Sequence, residues 1–349
     1  MRIKTVKLKL RREHLERLMI GGAAALVLFL AARGAEVPMV EVPYSESAQE
    51  VTTSLAAQTP TQQTTVYYKD GNGYLVPMTM EVPQQEGIAR ATLSLLSSSL
   101  ANDVEAASLG LLTVAPAGTS YELDISGGRA RVNLSAEALT AADAAQESAM
   151  VDAVVETLTS FDTVDSVEFL VAGQKRDALT HGTPVSGVFT GGKINLESVD
   201  ASADMTGAET VTLYFPDEGG RLLVPVTRTV WGEADVETAV FELLKGPRQD
   251  SGLEPALPGD CALIGVTVKD GAAVINLSKE FEQVLSQSDG GKRALRAMML
   301  TCTRYPGVSR VEIQVDGQPY SLDGLDTKPT FVNEAQEVAA WFPGVLEEE

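Results

Sequence analysis

Apolar and polar residues alternate along several short stretches of the chain, and the stretch Val266–Ser278 predicts a β-hairpin that leads into a helix. Asp270-Gly271 supplies the two positive-φ residues that a type I′ turn needs. Pairing outward from this turn gives three apolar pairs on one face: Val268 with Ala273, Val266 with Ile275, and Ile264 with Leu277. The opposite face carries Thr267, Lys269 and Val274. Ser278 follows the second strand, where its hydroxyl can cap the next helix.

The same pattern occurs earlier in the chain, at Tyr121–Ser135, with its turn at Gly127-Gly128. Its apolar pairs are Ile125 with Ala130, Leu123 with Val132, and Tyr121 with Leu134. On the polar face Asp124 lies opposite Arg131, an opposite-charge cross-strand pair. Both copies close on Asn-Leu-Ser, and we interpret Asn133 and Asn276 as structural amides that bond the turn backbone. The shared turn, register and exit define an internal repeat.

Each repeat is predicted to contain a hairpin, a helix, the central hairpin, a second helix and a final strand. The second helices carry apolar stripes at helical spacing, at Val151, Val154, Val155 and Leu158 in one repeat and at Leu295, Met298, Met299 and Cys302 in the other. The pattern predicts an α+β fold of two tandem domains, each a small, mostly antiparallel sheet with two helices on one face. We place these domains at 65–190 and 210–332, with a linker at 191–209 and an acidic tail at 333–349.

The amino-terminal segment has the charge pattern of a membrane anchor. Residues 1–17 form a basic leader, and 18–32 form an uncharged apolar run between Arg17 and Arg33. We predict a transmembrane or signal-anchor helix with a cytoplasmic amino terminus, followed by a flexible linker at 33–64 that is rich in polar residues. The run is shorter than the roughly 20 residues of a usual span, so a cleaved signal peptide is the alternative.

The composition includes few of the residues that usually form catalytic or metal sites. The formal net charge of −21 argues against binding to nucleic acid or to an anionic surface. With two His and two Cys, the sequence predicts no catalytic, metal or cofactor site. Cys302 belongs to an apolar stripe and Cys261 precedes the central hairpin, so outside the cytoplasm they can be bridged or can stay free.

The second repeat contains a series of short motifs: Leu243-Leu244-Lys245-Gly246-Pro247, Gly252-Leu253, Ala256-Leu257-Pro258, Asp270–Ser278, Tyr305-Pro306-Gly307-Val308 and Val315-Asp316-Gly317. Through these motifs it resembles, along its length, the GerMN domain of sporulation and spore germination proteins. The first repeat is similar in its second half but has Ser97-Ser98-Ser99 in place of the Gly-Pro pair. The resemblance implies a helix-strand-strand-helix-strand core like the ring-building modules of secretion systems. It also implies a non-enzymatic role at the outer face of the membrane in spore-forming Gram-positive bacteria, where relatives are lipoproteins; this chain has no lipobox Cys.

Two functions from different classes fit these features. The first is a single-pass envelope protein with extracytoplasmic domains that takes part in ring or channel assembly, with other envelope or sporulation-channel proteins or a second copy as partners. Its interaction face would be the polar side of the two central hairpins: Thr267, Lys269, Val274, Asp124 and Arg131. The alternative is a module that binds the cell wall or a germinant, in which Trp231 stacks on sugars.

Overall fold

The structure is a computed structural model that describes residues 60–200, 202–257, 259–285, 290–320, 332–335 and 338. The predicted leader and membrane segment lie outside the described residues, as does most of the linker that follows them. No helix among the described residues is long and apolar enough to cross a membrane. Thr59–Glu349, which holds both repeats, forms one compact unit.

Both repeats show the predicted order of elements. The first contains β1 (Thr61–Lys69), β2 (Leu75–Pro83), α1 (Ile88–Ser94), α2 (Leu100–Ser108), β3 (Tyr121–Ser126), β4 (Arg129–Leu134), α3 (Ala144–Thr159) and β5 (Ser166–Val171). The second contains β6 (Ala208–Pro216), β7 (Leu223–Trp231), α4 (Val236–Leu244), β8 (Leu263–Lys269), β9 (Ala272–Leu277), α5 (Phe281–Leu285), α6 (Gly290–Cys302), β10 (Arg310–Val315) and β11 (Gln318–Tyr320). A short 3₁₀ helix, Ala136–Thr140, lies between β4 and α3. The helix α2 is an addition in the first repeat, and α5 and β11 are additions in the second.

Each repeat builds a small mixed sheet from its central hairpin and its final strand. The strand orders are β3-β4-β5 and β11-β10-β9-β8, and the central hairpins pair antiparallel. The pairs β4/β5 and β9/β10 are parallel because a helix carries the chain back between the two strands. The first hairpins, β1/β2 and β6/β7, form separate two-stranded ribbons.

The predicted register is confirmed throughout the first central hairpin and through most of the second. Asp270 and Gly271 take the positive φ angles of 50° and 77° that the turn requires. The prediction that Ile264 pairs with Leu277 is wrong: Leu263 is the partner of Leu277, and a register shift follows between Leu263 and Gly265. The extra residue at this bulge turns Ile264 outward, where it is 54% exposed.

The apolar faces pack against the helices over most of their length, as the periodicity predicts. Ala273, Ile275 and Leu277 are fully buried, and both predicted helical stripes lie in the core. Val268 and Ile125 are the exceptions: each lies on its first strand close to the hairpin turn and is exposed. The second strand of each hairpin is therefore the one that the core buries, because it lies between two neighbours in its sheet.

The two serines that follow the central hairpins, Ser135 and Ser278, form hydrogen bonds that close the open ends of those hairpins. The predicted capping role of Ser278 is wrong, because the next helix begins three residues later, at Phe281; the Ser278 hydroxyl accepts a hydrogen bond from the Ala262 N–H at 3.0 Å. Ser135 does the same for the Ser120 N–H at 3.0 Å. Each serine thus ties the exit of its hairpin to the residue that precedes the entry.

Candidate interaction surface

The outer face of the second sheet, which points away from the helices, carries three of the predicted interaction residues. Thr267 pairs with Val274 and Lys269 with Ala272 across the hairpin, so register alone places Thr267, Lys269 and Val274 on the same side. Thr267 and Lys269 are exposed and Val274 is half-buried. This face therefore offers hydroxyl, ammonium and aliphatic groups to a partner.

The outer face of the first sheet carries the other two predicted residues, and one of them, Arg131, forms an ion pair within the sheet. Asp124 lies opposite Arg131 as predicted, but Arg131 makes its ion pair with Glu168 on β5, at 3.6 Å. Lys175 also contacts Glu168, at 3.4 Å. The hydrogen bond from Lys175 is the main reason that the pKa of Glu168 lies below its usual value. The predicted residues thus occupy two separate faces, and each face carries an ion pair: Arg131 with Glu168 on the first and Arg310 with Glu312 on the second.

Asn133 and Asn276 have the same structural role in both sheets. The side-chain oxygen of Asn133 accepts the Gly173 N–H at 2.8 Å, and that of Asn276 accepts the Gly317 N–H at 2.9 Å. Each bond holds the turn that follows the final strand. The interpretation of these residues as structural amides is confirmed by these contacts.

Both cysteines lie in the hydrophobic core of the second repeat. Cys261 and Cys302 are free, buried thiols, so the disulfide allowed by the sequence is not formed in the structure. Burial raises the pKa of the Cys261 thiol to about 11 and that of the Cys302 thiol to about 12, which disfavours the thiolate that acts as nucleophile or ligand. Among the described residues no group of three or more His, Cys, Asp or Glu could hold a metal ion.

Two asparagines that sequence reasoning missed join the repeats to each other. Asn195 follows the first repeat; its amide exchanges two hydrogen bonds with Leu75 on β2, at 2.9 and 2.8 Å, and donates to the Pro225 carbonyl on β7 at 2.7 Å. Asn333 follows the second repeat; it exchanges two bonds with Leu223 on β7, at 2.8 and 2.9 Å, and donates to the Pro77 carbonyl on β2 at 2.9 Å. We call these two residues the asparagine clasp.

The clasp has pseudo-two-fold symmetry. Its strand partners belong to a repeated Leu-Val-Pro sequence, Leu75–Pro77 and Leu223–Pro225. Proline lacks an N–H, so at these positions only the carbonyl is available to a partner. Asn195 and Asn333 both have positive φ, at 50° and 49°, a conformation that asparagine tolerates better than most residues.

The segments around the clasp cross from one repeat to the other. The Ile194 carbonyl, from the end of the first repeat, accepts the Thr227 hydroxyl of β7 at 2.7 Å. The Val332 carbonyl, from the end of the second, accepts the Thr79 hydroxyl of β2 at 2.9 Å. Val338 is 3% exposed and belongs to the core of the first repeat. The repeats therefore hold each other by a reciprocal exchange of segments.

A buried ion pair fixes the segment that leaves Asn195. Arg228 on β7 donates to both carboxylate oxygens of Glu197, at 2.8 and 2.9 Å, and to the backbone carbonyls of Glu242 and Gly246 at 3.0 Å. Burial alone would lower the pKa of Arg228, but the bonds and charge of Glu197 and Glu242 raise it above its usual value. No pattern in the sequence points to this pair, because a single Arg in a strand usually faces solvent.

These features define a class of protein: a tandem α+β protein whose two domains form one compact unit. The family model for sporulation and spore germination, Germane, matches residues 65–177 and 212–321, well over half of the chain. The chain therefore belongs to the Germane family of sporulation and spore germination proteins.

Known proteins resemble both repeats together. The chain is 28% identical over 293 residues to the spore germination protein GerM of Bacillus subtilis strain 168, a match that spans 78% of this chain and 77% of that protein. The solved structure of the tandem GerMN domains of the B. subtilis sporulation protein GerM matches with a TM-score of 0.66 and 27% identity, over 79% of this chain and 99% of that one. The solved first GerMN domain of the same protein is 28% identical over 37% of this chain and 97% of that one, with a TM-score of 0.34.

Proposed function

We propose that this chain is a non-enzymatic, membrane-tethered envelope protein that helps to assemble a multiprotein structure during sporulation or germination. Family membership supports the developmental context. The basic leader and apolar run at 18–32 support a tether with the two repeats outside the cytoplasm.

The observation that carries the proposal is the open outer face of the second sheet. The helices pack on the opposite side of the sheet, so Thr267, Lys269 and Val274 do not pack into the core. The clasp makes the two repeats one body, which suits a component that must hold its faces in fixed positions. We propose that this face contacts another envelope protein or a second copy of the chain, in a ring or channel.

The test combines two substitutions on that face, Thr267→Asp and Val274→Asp, in the full-length chain expressed in its sporulating host. We expect fewer heat-resistant spores and loss of the chain's own cross-links to neighbouring envelope proteins. Arg129→Asp on the first sheet is the matched control, since Arg129 is exposed on the corresponding central hairpin and the substitution changes the charge by the same two units. Normal sporulation with unchanged cross-links, in a double variant that still folds by circular dichroism, would rule out this face.

Wall binding is the second candidate function, because one tryptophan is presented to solvent. Trp231 is 55% exposed, and its indole N–H donates to the Asp204 carbonyl at 2.8 Å, which fixes the orientation of the ring. A fixed aromatic face can stack on a sugar ring. Co-sedimentation with purified peptidoglycan, lost in Trp231→Ala and retained in the face variant above, would favour this candidate over assembly.

A further inference from the structure

A cavity of about 480 Å³ lies between the repeats, and both contribute to its walls. None of the outer-face residues proposed above lines it. Its volume falls within the 300–1,000 Å³ that is usual for small-molecule sites. Its lining is unusual for such a site, since phenol, carboxylate, guanidinium and hydroxyl groups make up much of the wall.

Two pseudo-equivalent tyrosines frame the cavity. The backbone N–H of Tyr67 donates to the buried hydroxyl of Thr157 at 3.3 Å, and that of Tyr214 donates to Thr301 at 3.3 Å, so the repeat places both in the same way. Tyr67 is 8% exposed and Tyr214 4%, and both line the cavity. The two repeats therefore bring two phenol groups to one space.

The charged groups break this symmetry. Glu156 and Asp165 come from the first repeat, whereas Arg304 comes from the second, where it occupies the position that Ser160 has in the first. Glu156 is 8% exposed, and its carboxylate accepts the Gly192 N–H at 2.7 Å. Arg304 is exposed to solvent, and its guanidinium donates to the Tyr214 hydroxyl at 3.5 Å.

Glu156 and Arg304 face the same space without forming an ion pair among the described residues. Burial raises the pKa of Glu156, and the Gly192 N–H and the charge of Arg304 oppose that shift only in part. The Glu156 carboxylate is buried, and a cation close to it would stabilise its charged form. A ligand that carries both signs would give Glu156 a cationic partner and the exposed Arg304 an anionic one.

We propose that this cavity binds a small zwitterion, with its carboxylate on Arg304 and the tyrosine hydroxyls and its ammonium group on Glu156. The wall carries two carboxylates, Glu156 and Asp165, and one guanidinium, Arg304. This balance favours a ligand that has an ammonium group as well as a carboxylate. Because its contacts come from both repeats, the ligand would tighten the interface between them. The proposal rests on the cavity alone and is independent of the assembly role.

The test is isothermal titration calorimetry on the full-length chain with glycine, β-alanine and glycylglycine, which carry the same two charges at increasing separation. Acetate and methylammonium are the single-charge controls. We expect one saturable site for at least one zwitterion, with a Kd of about 10 mM or tighter, and much weaker binding of either control. At a hundredfold excess over Kd, the thermal midpoint should rise by about 5 °C.

Conservative substitutions in the cavity test which side chains contact the ligand. Glu156→Gln keeps an acceptor for Gly192 and Arg304→Gln removes the guanidinium; each should weaken binding by about tenfold or more, as expected for a hydrogen bond to a charged group. Tyr67→Phe, which leaves the ring in place, should weaken it by a few-fold. Arg129→Gln, an equal loss of charge outside the cavity, should leave binding unchanged.

Three outcomes would overturn the proposal. The first is that no zwitterion binds saturably, and the second is that acetate or methylammonium alone binds as well as the best zwitterion. The third is that Arg129→Gln weakens binding as much as Arg304→Gln. A loss of the assembly phenotype in the face variants with intact calorimetry, or the reverse, distinguishes this proposal from the proposed function.

Discussion

Removal of the Asn333 side chain tests whether the clasp holds the two repeats together. Asn333 is 4% exposed and makes three hydrogen bonds, two with Leu223 and one with Pro77. Each neutral bond contributes about 1 kcal/mol, and the buried Leu223 N–H and Pro77 carbonyl would lose this partner. Alanine at a φ of 49° costs roughly a further 1 kcal/mol. We expect Asn333→Ala to lower the free energy of unfolding by about 4 kcal/mol.

Urea denaturation followed by circular dichroism measures this change, and three further variants identify its source. Asn333→Gly accepts the positive φ and should recover about 1 kcal/mol of the loss. Asn333→Asp keeps the acceptor for Leu223 but sets a carboxylate against two carbonyl oxygens, so it should be worse than alanine. Asn72→Ala is the matched control, since Asn72 is exposed in a turn. A loss below about 1 kcal/mol, or equal to that of the control, would refute the role of the clasp.

The pseudo-symmetry of the clasp leads to a second prediction about stability. If Asn195 and Asn333 secure one interface, opening it at one residue should reduce what the other contributes. The double alanine variant should then lose less free energy than the two single losses together, by at least about 0.5 kcal/mol. Strict additivity would mean that each asparagine only stabilises its local turn.

Three further predictions concern the second repeat. Ile275→Asp places a carboxylate at a fully buried position and should destabilise the domain by roughly 4 kcal/mol or more. Thr267→Asp on the outer face should change stability by about 0.5 kcal/mol or less, and equal effects of the two variants in thermal melts would mean that the faces are assigned wrongly. Arg228→Met should lower the free energy of unfolding by about 3 kcal/mol, and Glu197→Gln should restore part of that loss, which a double-mutant cycle in urea would reveal as coupling. Because burial raises the pKa of the Cys302 thiol to about 12, this thiol should react with disulfide reagents at pH 8 only when the protein unfolds, and rapid labelling of the native protein would contradict its burial. Above about pH 9 the unfolded chain loses the Cys302 proton while the folded chain keeps it, so the free energy of unfolding should fall as the pH rises.

Local chemistry explains what could be predicted from the sequence. The central hairpins depend on two-residue turns of Asp-Gly and Gly-Gly, and such turns fix the register of the strands that they join. The helical stripes follow from a 3.6-residue period, which is visible in the sequence whatever the helix packs against. Repetition strengthened both inferences, since two copies of a pattern are less easily produced by chance than one.

The rest depended on contacts between distant parts of the chain. One inserted residue at Ile264 shifted a pairing that strict alternation had placed elsewhere. Asn195 lies in a segment predicted as a linker and contacts Leu75, and Asn333 lies in the predicted tail and contacts Pro77. No local rule gives a lone asparagine such a partner, because its role is defined only once the two repeats have docked.

The clasp also explains why two family modules behave as one body here. The segments that match the family model end before Asn195 and before Asn333, so both asparagines lie outside the modules themselves. What the modules supply is the repeated Leu-Val-Pro sequence on β2 and β7, with proline carbonyls that an amide can reach. The asparagines complete the contact from opposite ends: each side-chain amide makes two bonds to its own repeat and one to the other, and each backbone carbonyl accepts a further bond from the other repeat. Short segments after each module thus join the two repeats, together with direct contact between β2 and β7 and the burial of Leu222 and Val224 in the core of the first repeat.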